Sequence, residues 1–145
     1  MPEPLIFVLN GPNLNLLGTR EPEIYGHDTL DAIAARLADR ASAAGAVVDV
    51  RQSNHEGHLI DWLHEAQARG ARAVILNAGG FTHSSVALHD AVKAIATPVI
   101  EVHLSNPQAR ESFRRRSLIA PVARGSIAGL GALGYELALD AALRL

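Results

Sequence analysis

A phenol, a guanidinium and two carboxamides share one short stretch of this chain, residues 10–26 (NGPNLNLLGTREPEIYG), which carries Asn10, Asn13, Arg20 and Tyr25. Further on come Asn77 and His83 in NAGGFTHSS, then Glu101, His103 and Ser105 in VIEVHLSNP, then Arg110, Arg114, Arg115 and Arg116. These residue types suit proton transfer on a small, polar, anionic molecule. Histidine titrates near neutrality and serves as acid or base, whereas tyrosine serves as base only if its pKa is brought down from about 10. A neighbouring arginine does this by favouring the phenolate. Residues two apart on a strand share a face, so Glu101 can orient or charge His103. The same pair also fits a core histidine satisfied by a structural carboxylate. Tyr25 equally suits a surface anchor, Asn77 a turn cap, Ser84 or Ser85 a helix cap, and N-G-P-N a tight bend.

The elements that position these residues are legible as alternating apolar patterns. Residues 5–9 (LIFVL), 47–50, 73–76 (AVIL) and 99–102 (VIEV) are short apolar runs of the kind buried in a parallel sheet, and 124–128 predicts a short fifth strand. Asp28 or Thr29 caps a helix to about Ala44, with Leu30, Ile33, Ala34, Leu37 and Ala38 on its inner face. Leu59, Ile60, Leu63 and Ala66 mark the next inner face, closed by Gly70; a third helix runs from about Ser85 to Ala96. A short Arg-rich helix follows the fourth strand, and a last helix runs from Gly131 or Ala132 to Leu143. Strands alternating with helices predict an α/β, flavodoxin-like domain over residues 1–145, with a five-stranded parallel sheet and helices on both faces. In such a sheet ligands bind beyond the carboxyl ends of the strands, where the strand order reverses. That rule selects the loops that carry the residues above.

The chain has 145 residues, 13 basic and 15 acidic, and no cysteine. Its near-neutral charge gives no reason to expect nucleic acid, while the local arginine cluster suits a small anion or a solvated face. No apolar run is long enough to cross a bilayer, and the first residues, MPEPLIFVLN, lack the features of a signal peptide, so a cytoplasmic protein is expected. Two motifs mislead. GLGALG at 129–134 has dinucleotide-fingerprint spacing but does not follow the first strand, as that motif should, and reads as a tight turn with close helix packing. His55, Glu56, His58 and His64 lack HExxH spacing and fit helix capping or a subunit contact better than a metal site.

Taken together, GPNLNLLGTREPEIYG, SNHEGHLIDWLHEA, NAGGFTHSSVALHDA, IEVHLSNPQARESFRRRS and GLGALGYELALDA closely resemble type II 3-dehydroquinate dehydratase, collinearly over nearly the whole chain. The resemblance implies a hydro-lyase that reversibly dehydrates 3-dehydroquinate to 3-dehydroshikimate by anti elimination through an enolate, without metal, Schiff base or cofactor, in the shikimate pathway or quinate breakdown. It implies Tyr25 as base, held ionised by Arg20; Asn13 holding a water against the enolate oxygen; and His103 as acid, supported by Glu101. Substrate contacts fall to Asn77, His83, Leu104, Ser105 and Arg114, and Arg110 tunes Tyr25. Asp90 matches an aspartate that reaches a neighbouring subunit's site, in trimers that build a homododecamer.

The chain departs from the family pattern at residues 78–80 (AGG), where glycine should loosen the loop, and at Arg116 and Leu118. The competing reading is a non-catalytic flavodoxin-like module binding a nucleotide or phosphate, favoured by GLGALG and the arginines. Bulky Leu14, Leu16 and Leu17 oppose it, because a phosphate cradle wants small residues exposing amides. A phospho-receiver is weaker still, since Asn10 and Asn77 stand where it needs aspartates. Residues 19–25 are expected to form a lid, mobile without ligand.

Overall fold

The four apolar runs and the short fifth strand pair in parallel in one sheet. In the computed structural model, which describes residues 2–145, these are β1 (Leu5–Asn10), β2 (Val47–Gln52), β3 (Ala73–Asn77), β4 (Val99–His103) and β5 (Gly125–Ala128). Their order is β2-β1-β3-β4-β5, so it reverses between β1 and β3. The helices are α1 (Pro22–Tyr25), α2 (Leu30–Ala43), α3 (Glu56–Ala68), α4 (Val86–Ala94) and α5 (Leu133–Ala142).

Alternation along β1 explains why its run is apolar throughout. Ile6 and Val8 point to a core shared with α2 and α5, and Phe7 and Leu9 to a second core shared with α3 and α4. Both faces are covered, so neither set of side chains meets water. α2 starts where Thr29 Oγ1 accepts a hydrogen bond from the Ala32 amide, and α4 where Ser85 Oγ accepts from Leu88. Ser85 is thus a helix cap.

Three local expectations change. On α2 the buried row is Ile33, Leu37 and Ala41, four residues apart, and Ala38 faces solvent. The expected Arg-rich helix after β4 is instead a run of 3-10 turns at Pro107–Ala109, Ser112–Arg114 and Ala120–Val122. That segment offers no apolar stripe: Phe113 is 65% exposed, so a longer helix would have nothing to bury. The loop after β3 is not loosened by its glycines. It forms a 3-10 turn, Gly79–His83, in which Gly79 takes φ 58° and lies so close to Pro12 that a Cβ would sit 3.1 Å from the Pro12 carbonyl oxygen.

The long connection after β1 has structure of its own. A 3-10 turn, Leu14–Leu16, precedes α1, and Leu14 and Leu17 are buried in the core. Two of the three bulky leucines that argue against a phosphate cradle, Leu14 and Leu17, are therefore the anchors of the loop, while Leu16 is exposed. At the other end of the chain, GLGALG forms the turn into α5, with Gly134 packed against Val102 and Ile127. Among the described residues no helix is long and apolar enough to cross a membrane.

Gly11 joins the two halves of the crevice: its amide donates to the Asn77 carbonyl at 2.8 Å, and a Cβ there would lie 2.4 Å from the Ala78 carbonyl oxygen. Gly11→Ala is expected to destabilise the chain by about 1–3 kcal/mol in thermal melts, because backbone rather than a side-chain tip must move. Gly57→Ala in α3 meets open space and should raise stability by about 0.5–1 kcal/mol.

Candidate active site

Beyond the carboxyl ends of β1, β3 and β4 lies a cavity of about 140 Å³. From the connection after β1 it receives Asn13, Arg20 and Tyr25; from the end of β3 and the turn that follows, Asn77 and His83. β4 and the segment after it contribute His103, Leu104, Ser105, Arg110 and Arg114.

Tyr25 closes α1, and two cations lie against its ring. The Arg20 guanidinium carbon lies 4.5 Å from the ring centroid and that of Arg110 5.1 Å. Arg20 Nη2 donates to the phenol oxygen at 3.2 Å, and Arg110 Nη1 donates to Ser105 Oγ at 3.2 Å. Arg110 Nε is buried without a partner among the described residues. Asn13 adopts a left-handed backbone (φ 69°), which asparagine tolerates better than most residues, and its amide donates to Asn54 Oδ1 at 3.0 Å. This bond fixes the bend, leaving the Asn13 side chain exposed.

Opposite them, His103 Nε2 lies 2.8 Å from Glu101 Oε2, as the two-residue spacing on β4 predicts. Glu101 is 2% exposed and also accepts from Ser117 Oγ at 2.6 Å and Ser126 Oγ at 2.7 Å. Burial pushes its carboxyl up, but the hydrogen bonds from His103, Ser117 and Ser126 together outweigh this and hold it below the usual glutamate value. An ionised carboxylate only accepts, so His103 must carry hydrogen on Nε2, and Nδ1 is left for the cavity. His83 is held in a similar way: its Nδ1 donates to the Arg116 carbonyl at 2.9 Å.

Asn77 combines both of its expected roles. Its Oδ1 accepts from the Gly79 amide at 3.2 Å, capping the turn, while the residue also lines the cavity. Asn10 is different. Sequence position places it on the rim, yet it is fully buried, with Nδ2 donating to the Arg51 carbonyl at 3.0 Å. As the last residue of β1 it points beneath the cavity. The arginine cluster splits: Arg110 and Arg114 line the cavity, whereas Arg115 and Arg116 face solvent. Asp90 lies on α4 outside the cavity of its own chain, its side chain 69% exposed and bonded to His89.

The histidine-rich stretch is occupied with local packing. His58 Nδ1 pairs with Ser53 Oγ at 2.7 Å and Glu56 bonds Ser85. Among the described residues no three His, Cys, Asp or Glu side chains are grouped to hold a metal. Ser117, Ser126 and Tyr135 are participants that the sequence did not single out. Ser126 is the β5 residue in register with Glu101, a relation visible only once β4 and β5 are paired.

A family model described as dehydroquinase class II matches residues 4–143. A 3-dehydroquinate dehydratase of Hyphomonas neptunium is 64% identical over 140 residues, covering 97% of this chain and 93% of the relative. One from Halalkalibacterium halodurans is 59% identical over 138 residues, covering 95% and 94%. The crystal structure of type II dehydroquinase from Butyrivibrio crossotus matches with a TM-score of 0.95 at 39% identity, covering 97% of this chain and 98% of that one.

The buried Glu101 carboxylate gives the site a pH signature. Its folded pKa is depressed, so the anion stabilises the fold above the unfolded value of about 4.3, and that contribution is lost as pH falls through the lower folded value. Glu101→Gln is therefore expected to lower the melting temperature near pH 7 while flattening its decline below about pH 4.3, as read by calorimetry across pH.

Proposed function

The chain belongs to the dehydroquinase class II family and dehydrates 3-dehydroquinate, and within that reaction we propose that Tyr25 is the base and His103 the acid. One observation carries the assignment: a single cavity holds a phenol beneath two guanidinium groups and an imidazole bonded to a buried carboxylate.

The Tyr25 phenolate takes the proton from the carbon next to the ketone, and the electron pair moves onto the ketone oxygen to give an enolate. Arg20, bonded to the phenol oxygen, supplies positive charge where the phenolate holds its negative charge, and Arg110, against the ring, tunes it from further away. Asn13 places a water against the enolate oxygen, stabilising the charge as it develops. The enolate then expels the hydroxyl, which takes a proton from His103 and leaves as water. Base and acid work from different walls of the cavity, in keeping with anti elimination. Glu101 keeps the imidazole oriented and stabilises its protonated form. Asn77, His83, Ser105 and the Leu104 backbone bind the polar groups of the substrate, and Arg114 its carboxylate side.

A Schiff-base route needs an amine at the site. The chain's single lysine, Lys93, lies on α4 away from the cavity, which supports direct enolate chemistry. α1 and its flanks act as a lid that closes over substrate and expels water. Asp90 is offered instead to a neighbouring copy, within trimers that assemble into a homododecamer in the cytoplasm; the exposed Val86, one turn earlier on α4, gives that contact an apolar neighbour.

Tyr25→Phe and His103→Ala are each expected to lower kcat roughly 10²- to 10⁴-fold, followed by ultraviolet absorbance of the conjugated enone product, with circular dichroism unchanged. Full activity in Tyr25→Phe overturns the base assignment, and inactivation by borohydride in the presence of substrate overturns the enolate route. Light scattering should give a mass twelve times the 15.4 kDa chain. Asp90→Ala should raise KM without changing that mass.

A further inference from the structure

Below the cavity runs a chain of buried hydrogen bonds that the catalytic assignments leave unused. Asn77 Nδ2 donates to Tyr135 Oη at 2.8 Å, Tyr135 Oη donates to Asn10 Oδ1 at 2.7 Å, and Asn10 Nδ2 donates to the Arg51 carbonyl at 3.0 Å. At the other end the Gly79 amide donates to Asn77 Oδ1 at 3.2 Å. Tyr135 is fully buried on α5, Asn10 ends β1, Asn77 ends β3, and Arg51 lies on β2.

Both ends of this chain have a fixed polarity. A backbone carbonyl only accepts and a backbone amide only donates. With Arg51 accepting, Asn10 must present nitrogen to it and oxygen to Tyr135. The phenol must then donate to Asn10 and accept from Asn77, so Asn77 must turn its nitrogen towards Tyr135 and its oxygen towards Gly79. Reversing any one group sets donor against donor or acceptor against acceptor among buried groups, a costly arrangement. Burial also keeps the phenol protonated, with its pKa pushed well above the ordinary tyrosine value. The second Nδ2 hydrogen of Asn77 has no partner among the described residues, and Asn77 lines the cavity.

We propose that Tyr135 is a positioning residue, which through Asn10 and the Arg51 carbonyl locks the Asn77 amide so that it meets the substrate as a hydrogen-bond donor. This rests on Asn77 being a substrate ligand. The substrate group it meets is then an oxygen that accepts, a ketone, hydroxyl or carboxylate oxygen. Tyr135 touches no reacting atom and acts only through Asn77.

The test is a double-mutant cycle of Tyr135→Phe and Asn77→Ala, with KM and kcat measured separately. Tyr135→Phe keeps the ring and removes only the hydroxyl. It is expected to raise KM about tenfold with kcat changed less than about threefold, because a ground-state contact is misaligned. Asn77→Ala should raise KM at least as much, and adding Tyr135→Phe to it should change KM less than about twofold. If Tyr135→Phe raises KM by the same factor in both backgrounds, or leaves it unchanged in the wild type, the positioning role is overturned. If Asn77→Ala leaves KM unchanged, Asn77 is not a ligand; that reading fails, and the proposal fails with it. Asn77→Ser replaces Asn77→Ala if the latter does not fold.

Discussion

The reversal of strand order between β1 and β3 is the constraint on which the site depends. The chain leaves β1 towards the face covered by α2 and leaves β3 towards the face covered by α4. Neighbouring parallel strands whose continuations part in this way leave a crevice at their carboxyl ends. Its floor is closed by the Gly11 amide on the Asn77 carbonyl, and its walls are the two loops that diverge from that point. The proposed base, Tyr25, and the proposed acid, His103, come from opposite sides of this opening, so the fold separates them without a device of its own.

Electrostatically the crevice is built unlike the exposed pairs around α2. Arg40 of α2 pairs with Glu136 and Asp140 of α5, and Arg36 with Asp28 just before α2, at solvent-facing positions where such pairs are worth little. Inside, Glu101 is held by three donors, and its hydrogen bonds rather than its exposure keep it ionised. The arginines around Tyr25 leave one buried guanidinium nitrogen, Arg110 Nε, without a partner among the described residues, an incompleteness that calls for explanation in a folded protein.

Much of this was legible in the sequence. Buried parallel strands announce themselves as unbroken apolar runs, and the residue pair Glu101 and His103 follows from strand alternation alone. The Arg-rich segment was misread because charge clustering says nothing about whether a helix has a surface to pack on. Asn10 was misread because being last in a strand does not tell whether a side chain turns out to the rim or down beneath it. Tyr135 and Ser126 were illegible for a different reason. Their partners, Asn77 and Glu101, lie 58 and 25 residues away, and only the packing of α5 on the sheet and the pairing of β4 with β5 bring them together.

The buried Leu14 and Leu17 bear on entropy. Each residue that passes from free to ordered costs roughly 1–2 kcal/mol of backbone freedom. With its first half already fastened in the core, the connection after β1 would expose only residues 18–26 to that loss in the proposed lid closure. A loop of the same length without those two anchors would have to recover the ordering of its whole span from substrate contacts. Two side chains fastened in the core therefore help set how tightly a small molecule can be held.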